Sequence, residues 1–453
     1  MAEKTTARDM TDGPILKQLI LFAAPLLLGN AFQLLYNTVD SLVVGNFVGT
    51  EALAAVGSTT MIINMLVLFF NGLATGAGVL IAQAYGAKDI ARLHRAIETT
   101  MLLTFICCVL LSVIGVRCTP YMLRFMSTPD DVMEPAAEYL KIYFSGLSGL
   151  LIYNMGSGIL RAVGDTTRPL LFLMVTSVVN TILDLVFVLV FDAGIKGVGF
   201  ATIIAQFISA VLILVLMTRT RDIYRLKWTD LSLDKNSLKK ILVYGLPAAI
   251  QSVITAFSNV FVQAYINIFG SACIAGWSCY NKLDAFIFLP MQSMAMASTT
   301  FVSQNVGAKK MKRADRGTWT ALGMMVSLSL ILAVILWVFA SPVTAIFTDD
   351  ENVIAFGVLF MRTNIFFLCF NAVNHVLAGG LRGRGDSTGP MVIMLSTFVV
   401  VRQCYLYAVT HFIANTPRIV GFGYPVGWIC CCTAELFYFY IRYIRNRGAA
   451  DGS

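Results

Sequence analysis

Residues 158–169 read "GILRAVGDTTRP", and residues 379–390 read "GGLRGRGDSTGP". Seven of the twelve positions carry the same residue, and the members of each pair are 221 residues apart. The same offset aligns "AQAYGAKDIARLHR" at 82–95 with "SQNVGAKKMKRADR" at 303–316. An offset that holds over two separate motifs indicates that the chain consists of two copies of one structural unit.

The composition restricts what that unit can be. The 453 residues are 57% hydrophobic and 13% charged, and the mean hydropathy is +0.76. Soluble globular proteins carry about 25% charged residues, so this chain cannot cover a water-exposed surface and is predicted to be an integral membrane protein. Most of the ten cysteines lie in apolar runs, and we interpret them as small core residues. The polar residues 1–14 do not resemble a cleavable signal.

A membrane-spanning helix needs roughly 20 mostly apolar residues, and the sequence contains twelve such stretches. They lie near 15–48, 52–84, 96–116, 132–161, 168–191, 197–218, 238–269, 272–304, 317–341, 352–381, 390–413 and 420–441. The predicted fold is therefore an all-α integral membrane protein with twelve transmembrane helices in two parallel six-helix lobes. We expect an N-terminal lobe at 1–218, a cytoplasmic linker at 219–237 and a C-terminal lobe at 238–453.

The distribution of lysine and arginine predicts the orientation. With the N-terminus inside, the inner segments and their borders hold 25 of the 33 basic residues, and the outer loops hold 4. This asymmetry follows the positive-inside rule, so both termini are predicted to be cytoplasmic in the plasma membrane. The net charge of +8 is then a signal of topology within a lipid bilayer, and no nucleic-acid partner is expected. Six spans per copy give both copies the same orientation, as in parallel-repeat transporters.

The duplicated motif falls at the inner end of the fourth span of each copy. Arg161 and Arg382 lie in the last helical turn, where a cation faces free carbonyl groups. We interpret the motif as a structural connector, in which the glycine permits the turn, the aspartate caps the next helix and the proline lies near the first turn of that helix. A gating role between the lobes is the alternative. The connector residues are Gly164, Asp165, Pro169, Gly385, Asp386 and Pro390.

Twelve spans in two parallel lobes, the G-x-L-R-x-x-G-D-[ST]-T-x-P motif after spans 4 and 10, and "GAK" after spans 2 and 8 resemble the MATE family of multidrug and toxic compound extrusion transporters. The resemblance covers essentially the whole chain and is greatest to bacterial members. It implies export of small amphipathic, often cationic compounds in exchange for H⁺ or Na⁺. We expect no cofactor other than the transported ion, and a monomer.

Ionisable side chains inside spans are functional candidates because they are costly there. By a rise of ~1.5 Å per residue, Asp40, Tyr139, Asp184 and Thr202 all lie ~8–12 Å from the outer ends of their spans. Asn180 shares a helix face with Asp184. Two carboxyl groups with amide and hydroxyl oxygens can share a proton or hold Na⁺ through oxygen ligands; a polar network that only orders the lobe is the alternative. The MATE resemblance implies that these positions couple cation movement to export.

The second copy lacks these acids, since Phe261 or Val262 stands opposite Asp40. Asp284 is predicted either to attract a cationic drug or to pair with Lys282 or Arg402. Glu98, Glu138, Glu435 and His375 are given ordinary packing or interfacial roles. The candidate substrate cavity consists of Gln33, Tyr36, Asn37, Gln251, Asp284 and Arg402.

Two other classes of membrane protein differ from an exporter in features that a sequence can reveal. A flippase for lipid-linked sugars or polysaccharides, from the same wider superfamily, is the alternative function. Twelve spans and few intramembrane arginines favour the drug exporter over it. A membrane-embedded enzyme needs a metal-ligand cluster or a nucleophile beside a base. The sequence offers neither, so we expect no enzymatic activity and no metal other than Na⁺ at the coupling site.

Overall fold

The computed structural model of the protein describes residues 7–126 and 128–445. Their regular secondary structure is helical, as predicted. The first copy contains α1 (Ile15–Val43), α2 (Thr50–Gly86), α3 (Ile90–Phe125), α4 (Asp130–Ser145), α5 (Leu147–Ala162), α6 (Thr167–Leu185) and α7 (Gly194–Arg219). The second contains α8 (Lys235–Ile266), α9 (Ser271–Gly307), α10 (Met311–Val338), α11 (Ala340–Ala345), α12 (Glu351–Asn364), α13 (Leu368–Gly383), α14 (Thr388–Leu395), α15 (Arg402–Phe412), α16 (Pro417–Gly421) and α17 (Gly423–Phe439). Short π-helical segments occupy Val44–Val48, Val186–Val190, Ser396–Val401 and Tyr440–Arg445.

Eleven continuous helical segments within the described residues are long and apolar enough to cross a membrane. The predicted fourth span is present as α4 and α5, two shorter helices that meet at Gly146. The corresponding tenth span is interrupted at the repeat-related position by a 3₁₀ turn over Ile365–Phe367. Both fourth helices of the repeat are therefore broken at the same place, a feature that the hydropathy pattern does not reveal.

One predicted helix end differs from the structure. The third helix continues to Phe125, so Arg117 and Arg124 lie on its last turns and not in a loop. Glu138 is ion-paired with Lys196 at 3.0 Å near the surface, as an interfacial acid can be. The chain ends, whose side of the membrane the sequence predicts, lie outside the described residues.

The chain divides into two compact units, and the division falls inside two helices. The first unit comprises Met1–Asp9 and Ala24–Leu246, and the second comprises Met10–Ala23 and Pro247–Ser453. The linker therefore packs with the first unit, and the unit boundary lies within α8. Pro25 and Pro247 stand at the two internal boundaries, where the missing backbone N–H of proline interrupts helical hydrogen bonding.

The two connectors are built alike, as the repeated motif predicts. Gly164 and Gly385 have φ of +90° and +83°, the left-handed region that favours glycine. The N–H of the following aspartate donates to the carbonyl of Leu160 in the first copy, at 2.9 Å, and of Leu381 in the second, at 3.1 Å. This bond closes the helix end in the manner of a Schellman motif. The second connector is further tied by Asp386, which accepts a hydrogen bond from the Tyr438 hydroxyl at 2.6 Å.

Asp165 and Asp386 also cap the helices that follow them. Asp165 Oδ1 accepts from the backbone N–H of Arg168 at 3.2 Å, and Asp386 Oδ1 accepts from that of Gly389 at 3.0 Å. Each carboxylate thereby satisfies one of the N–H groups left free at a helix start. These contacts account for the motif as a structural connector.

A segment before α1 is bound within the second unit. The backbone N–H of Met10 donates to Gln304 Oε1 at 2.9 Å, and Asn305 Nδ2 donates to the Met10 carbonyl at 3.2 Å. Lys310 Nζ lies 2.6 Å from Asp12 Oδ1. This hydrogen bond to the ammonium group lowers the pKa of the Asp12 carboxyl from its usual value. The contact is therefore present at neutral pH and is lost only when the pH falls through that lowered pKa.

Candidate functional site

The polar side chains predicted on spans 1, 4, 5 and 6 meet in the first unit. Asn180 and Asp184 are both about 1% exposed and lie one turn apart on α6. With its amide nitrogen facing the acceptors, Asn180 donates to Asp184 Oδ2 at 3.0 Å and to the Tyr36 hydroxyl at 3.2 Å. Its amide oxygen accepts from the backbone N–H of Thr202 at 3.2 Å. Asn180 therefore fixes the carboxyl group of Asp184 against α1 and α7.

Asp40 completes the site from α1. Its carboxyl group is within hydrogen-bonding reach of the carboxyl group of Asp184. Two carboxylates this close in a buried site repel each other unless a proton or a cation lies between them. One oxygen of each group, Oδ1, is buried without a hydrogen-bond partner among the described residues. The pair thus has acceptor capacity that the protein itself leaves unused.

The hydroxyl groups of two tyrosines lie near the two acids. Tyr139 on α4 is 4% exposed and lies close enough to Asp40 and Asp184 to interact with both electrostatically. Tyr36 has the same relation to the two acids and lies four residues before Asp40 on α1. Tyr36 therefore belongs to this cluster by position, although the sequence assigns it to the substrate cavity; its i, i+4 spacing from Asp40 is the signal that could have placed it here.

The chemistry of the site follows from its donor set. In their ionised state, the two carboxylates offer oxygens to a hard cation such as Na⁺, and Asn180 and Thr202 add an amide and a hydroxyl oxygen. Thr202 Oγ1 donates its proton to the carbonyl of Val198 at 2.9 Å and lies within hydrogen-bonding reach of the Tyr139 hydroxyl. In their protonated state, the carboxyls form a hydrogen-bonded acid pair. Either a proton or a monovalent cation therefore fits the residues present.

The proposed cavity residues of α1 and α8 belong to different units and are described separately. Gln33 and Asn37 are exposed on α1. Gln251 is buried, accepts a hydrogen bond from Arg382 Nη2 at 2.9 Å and also contacts Met394. Gln251 is thus a buried hydrogen-bonding partner of Arg382.

Neither partner suggested for Asp284 is found. Among residues 7–126 and 128–445, neither Lys282 nor Arg402 forms an ion pair with Asp284. Lys282 Nζ lies 5.6 Å from the centre of the Phe347 ring, and Arg402 bonds to neutral side chains. Asp284 is half-buried beside the Tyr280 hydroxyl. The prediction of a neutralising ion pair at Asp284 is therefore not supported by the geometry.

Glu435 on α17 is an acid whose burial the sequence did not indicate. It was expected to be able to reach the membrane surface, but it is 0% exposed. Neither carboxyl oxygen has a hydrogen-bond partner within the described part of the chain. The Arg382 guanidinium lies close enough to interact electrostatically with the Glu435 carboxyl group. The distance of Glu435 from the end of its span did not indicate this burial, because burial depends on which face of the helix contacts a neighbouring helix.

The sequence matches the family model MatE over residues 25–186 and 247–407, one match in each copy. The chain is 31% identical over 443 residues to "Probable multidrug resistance protein YpnP" of Bacillus subtilis, covering 96% of this chain and 98% of that protein. It is 25% identical to "Probable multidrug resistance protein NorM" of Thermotoga maritima, covering 85% and 83% of the two chains.

Solved structures share the fold. An outward-facing multidrug resistance MATE family transporter of the MOP superfamily matches with a TM-score of 0.90 and 22% identity, over 97% of this chain and 98% of that one. A MOP superfamily transporter from Pyrococcus furiosus, described as having a binding pocket of reverse polarity, matches with a TM-score of 0.89 and 22% identity over 98% of both chains. Two MatE matches in one chain, together with a relative above 30% identity over nearly the full length, establish that this protein is a transporter of the MATE family.

Proposed function

We propose that the protein is a cation-coupled antiporter that exports amphipathic, often cationic compounds by alternating access, with H⁺ or Na⁺ as the coupling ion. The observation that carries the proposal is the pair formed by buried Asp184 and half-buried Asp40, held by Asn180 and flanked by the hydroxyls of Tyr36 and Tyr139. The multidrug resistance names of its relatives support the substrate class. Asp284, half-buried and without an ion-pair partner among the described residues, is a further acid suited to a cationic ligand.

The carboxyl pair supplies the coupling because its charge state must change in each cycle. When neither a proton nor a cation is present, the two negative charges repel each other, and that state is high in energy. Binding of a proton or a cation removes the repulsion and favours one conformation of the lobe. The ion thereby shifts a conformational equilibrium, and the affinity for substrate differs between the two conformations. This linkage exchanges the ion for the substrate across the membrane.

The direct test is the accumulation of a fluorescent lipophilic cation. Cells that express the protein should retain less dye than matched cells that express Asp184→Asn at the same level, because export depends on the carboxyl pair. Equal dye retention in both strains, together with movement of a lipid-linked sugar by the wild type, would instead favour the flippase.

We further propose that the protein is a monomer in the plasma membrane with both termini cytoplasmic, as the lysine and arginine asymmetry predicts. A single cysteine introduced at Thr229 or Ser453 in a cysteine-free background should react with a membrane-impermeant maleimide only after the cells are opened. A cysteine at Asp349, in a predicted outer loop, should react in intact cells. Labelling in the opposite pattern would contradict the twelve-span topology.

A further inference from the structure

Arg402 is a buried cation in the second unit. Its side chain is 2% exposed and projects from the first residue of α15. Its Nη2 group donates to Ser258 Oγ at 2.7 Å and to Asn259 Oδ1 at 3.1 Å, both on α8. The guanidinium carbon lies 5.0 Å from the centre of the Tyr424 ring. Three elements of one unit therefore fix the plane and position of this guanidinium group.

The charge of Arg402 is bound by neutral hydrogen-bonding groups. Within the described residues it forms no ion pair, and its two hydrogen-bonded partners are neutral. Its Nε group is buried and has no hydrogen-bond partner in the described part of the chain, and the same holds for the hydroxyl of Thr255, one turn before Ser258 on α8. A buried charge without a counter-charge destabilises a protein, and a charge within a membrane span is a functional candidate by default. Both unused groups can donate to an anion.

The repeat places Arg402 beside the positions that correspond to the polar site of the first copy. An offset of 221 residues relates Arg402 to Thr181, the neighbour of Asn180, and relates Ser258 to Asn37, three residues before Asp40. Both positions also adjoin a π-helical segment: Val186–Val190 begins two residues after Asp184, and Ser396–Val401 ends directly before Arg402. Such segments are frequent at functional sites. The second copy thus has a basic group next to the positions that correspond to the acidic site of the first copy.

The guanidinium lies next to an accessible surface of its unit. Asn259, which accepts from Nη2, is exposed, and Tyr424 beside it is half-buried. A planar guanidinium suits a carboxylate, which it can bind through two parallel hydrogen bonds, and a single cation balances a monoanion. The Tyr424 ring offers an apolar face to the remainder of an amphipathic molecule.

We propose that Arg402 binds the carboxylate of zwitterionic substrates, so that the exporter accepts amphipathic molecules carrying both an amine and a carboxyl group. This inference rests on the proposed export function and specifies its substrate class. It predicts that Arg402 makes the protein bind a carboxylic acid more tightly, relative to the ester of the same compound. An arginine with a purely structural role would not produce this difference.

The test uses a rhodamine dye with a free carboxyl group and the ethyl ester of the same dye, which replaces the negative charge by a neutral ethyl ester. The effect of the added ethyl group is the same for every variant and cancels when their binding ratios are compared. Equilibrium binding of both is measured by fluorescence polarisation on purified wild type, Arg402→Gln, Arg402→Lys and the control Lys282→Gln. Loss of charge-assisted hydrogen bonds should reduce the acid-over-ester binding ratio roughly ten- to a hundredfold in Arg402→Gln. Arg402→Lys, a point charge, should give an intermediate ratio, and Lys282→Gln should match the wild type.

The inference is overturned if the ratio in folded Arg402→Gln equals that of the wild type. If Arg402→Gln does not fold, an unchanged ratio in Arg402→Lys has the same meaning. Transport of the ester distinguishes this failure from that of the proposed function. Export of the ester with an unaltered binding ratio leaves the exporter intact and removes only the role of Arg402. A wild type that neither binds nor exports either dye contradicts both.

Discussion

Asp184→Asn is expected to abolish most ion-driven export while leaving substrate binding largely intact. The amide keeps the shape of the carboxyl group and part of its hydrogen bonding with Asn180 but cannot ionise. The neighbouring Asp40 can then remain protonated, so no buried charge loses its partner and the protein should fold. Transport under an imposed gradient should fall roughly ten- to a hundredfold, the usual range of a coupling free energy between two sites. Asp40→Asn should behave in the same way.

Glu138→Gln is the matched control, because Glu138 lies on α4 in the same unit but is partly exposed and paired with Lys196. It should retain nearly full transport, since an exposed ion pair contributes little. Gradient-driven flux and equilibrium dye binding are measured for each variant in the same liposomes. If the site were only an ordering network, both aspartate variants would lower thermal stability and leave the dependence of flux on the gradient unchanged.

Gly76→Ala is expected to have a large effect on stability. A Cβ atom at Gly76 would lie 2.3 Å from the backbone nitrogen and 2.4 Å from the Cα of Gly245, which are backbone atoms that cannot rotate away. The contact between α2 and α8 in the first unit depends on small residues, as helix contacts in membranes often do. Separating them should cost about 1–3 kcal/mol or more and lower the melting temperature in detergent.

Gly57→Ala on the same helix separates this packing effect from the general effect of replacing a helical glycine. Apart from its chain neighbours and the local helix backbone, no atom of the described residues lies within 4 Å of a Cβ at Gly57. The substitution should therefore be neutral or stabilise the helix by up to about 1 kcal/mol. Equal melting temperatures for Gly57→Ala and Gly76→Ala would contradict the close approach of α2 and α8.

The repeated motif predicted the parts of the fold that depend on local chemistry. A glycine followed by aspartate, and a proline four residues after that aspartate, define a helix end and the next helix start wherever they occur, and both connectors have that geometry. The break at Gly146 was not predictable in this way. A Cβ there would lie 2.2 Å from Cγ2 of Ile203, so the break is linked to packing against α7. In the second copy the same break occurs at a segment without glycine.

The candidate site was predictable in part for a similar reason. Helical rise places Asp40, Tyr139, Asp184 and Thr202 at similar depth, and depth is readable from the distance to a span end. The direction in which a side chain points is not readable in this way, because it depends on the neighbouring helices. Arg402 illustrates the difference. Its position within a span was evident from the sequence, but the sequence did not show that its side chain bonds to Ser258 and Asn259 and not to Asp284.

The central claim is that the carboxyl pair of the first unit couples cation movement to export. The most direct measurement is dye flux in proteoliposomes under an imposed H⁺ gradient, an imposed Na⁺ gradient or neither, with wild type and Asp184→Asn reconstituted at equal density. The account predicts that one of the two gradients accelerates dye flux in the wild type and that neither does so in Asp184→Asn. Wild-type flux that is the same under all three conditions, or an equal acceleration in Asp184→Asn, would contradict it.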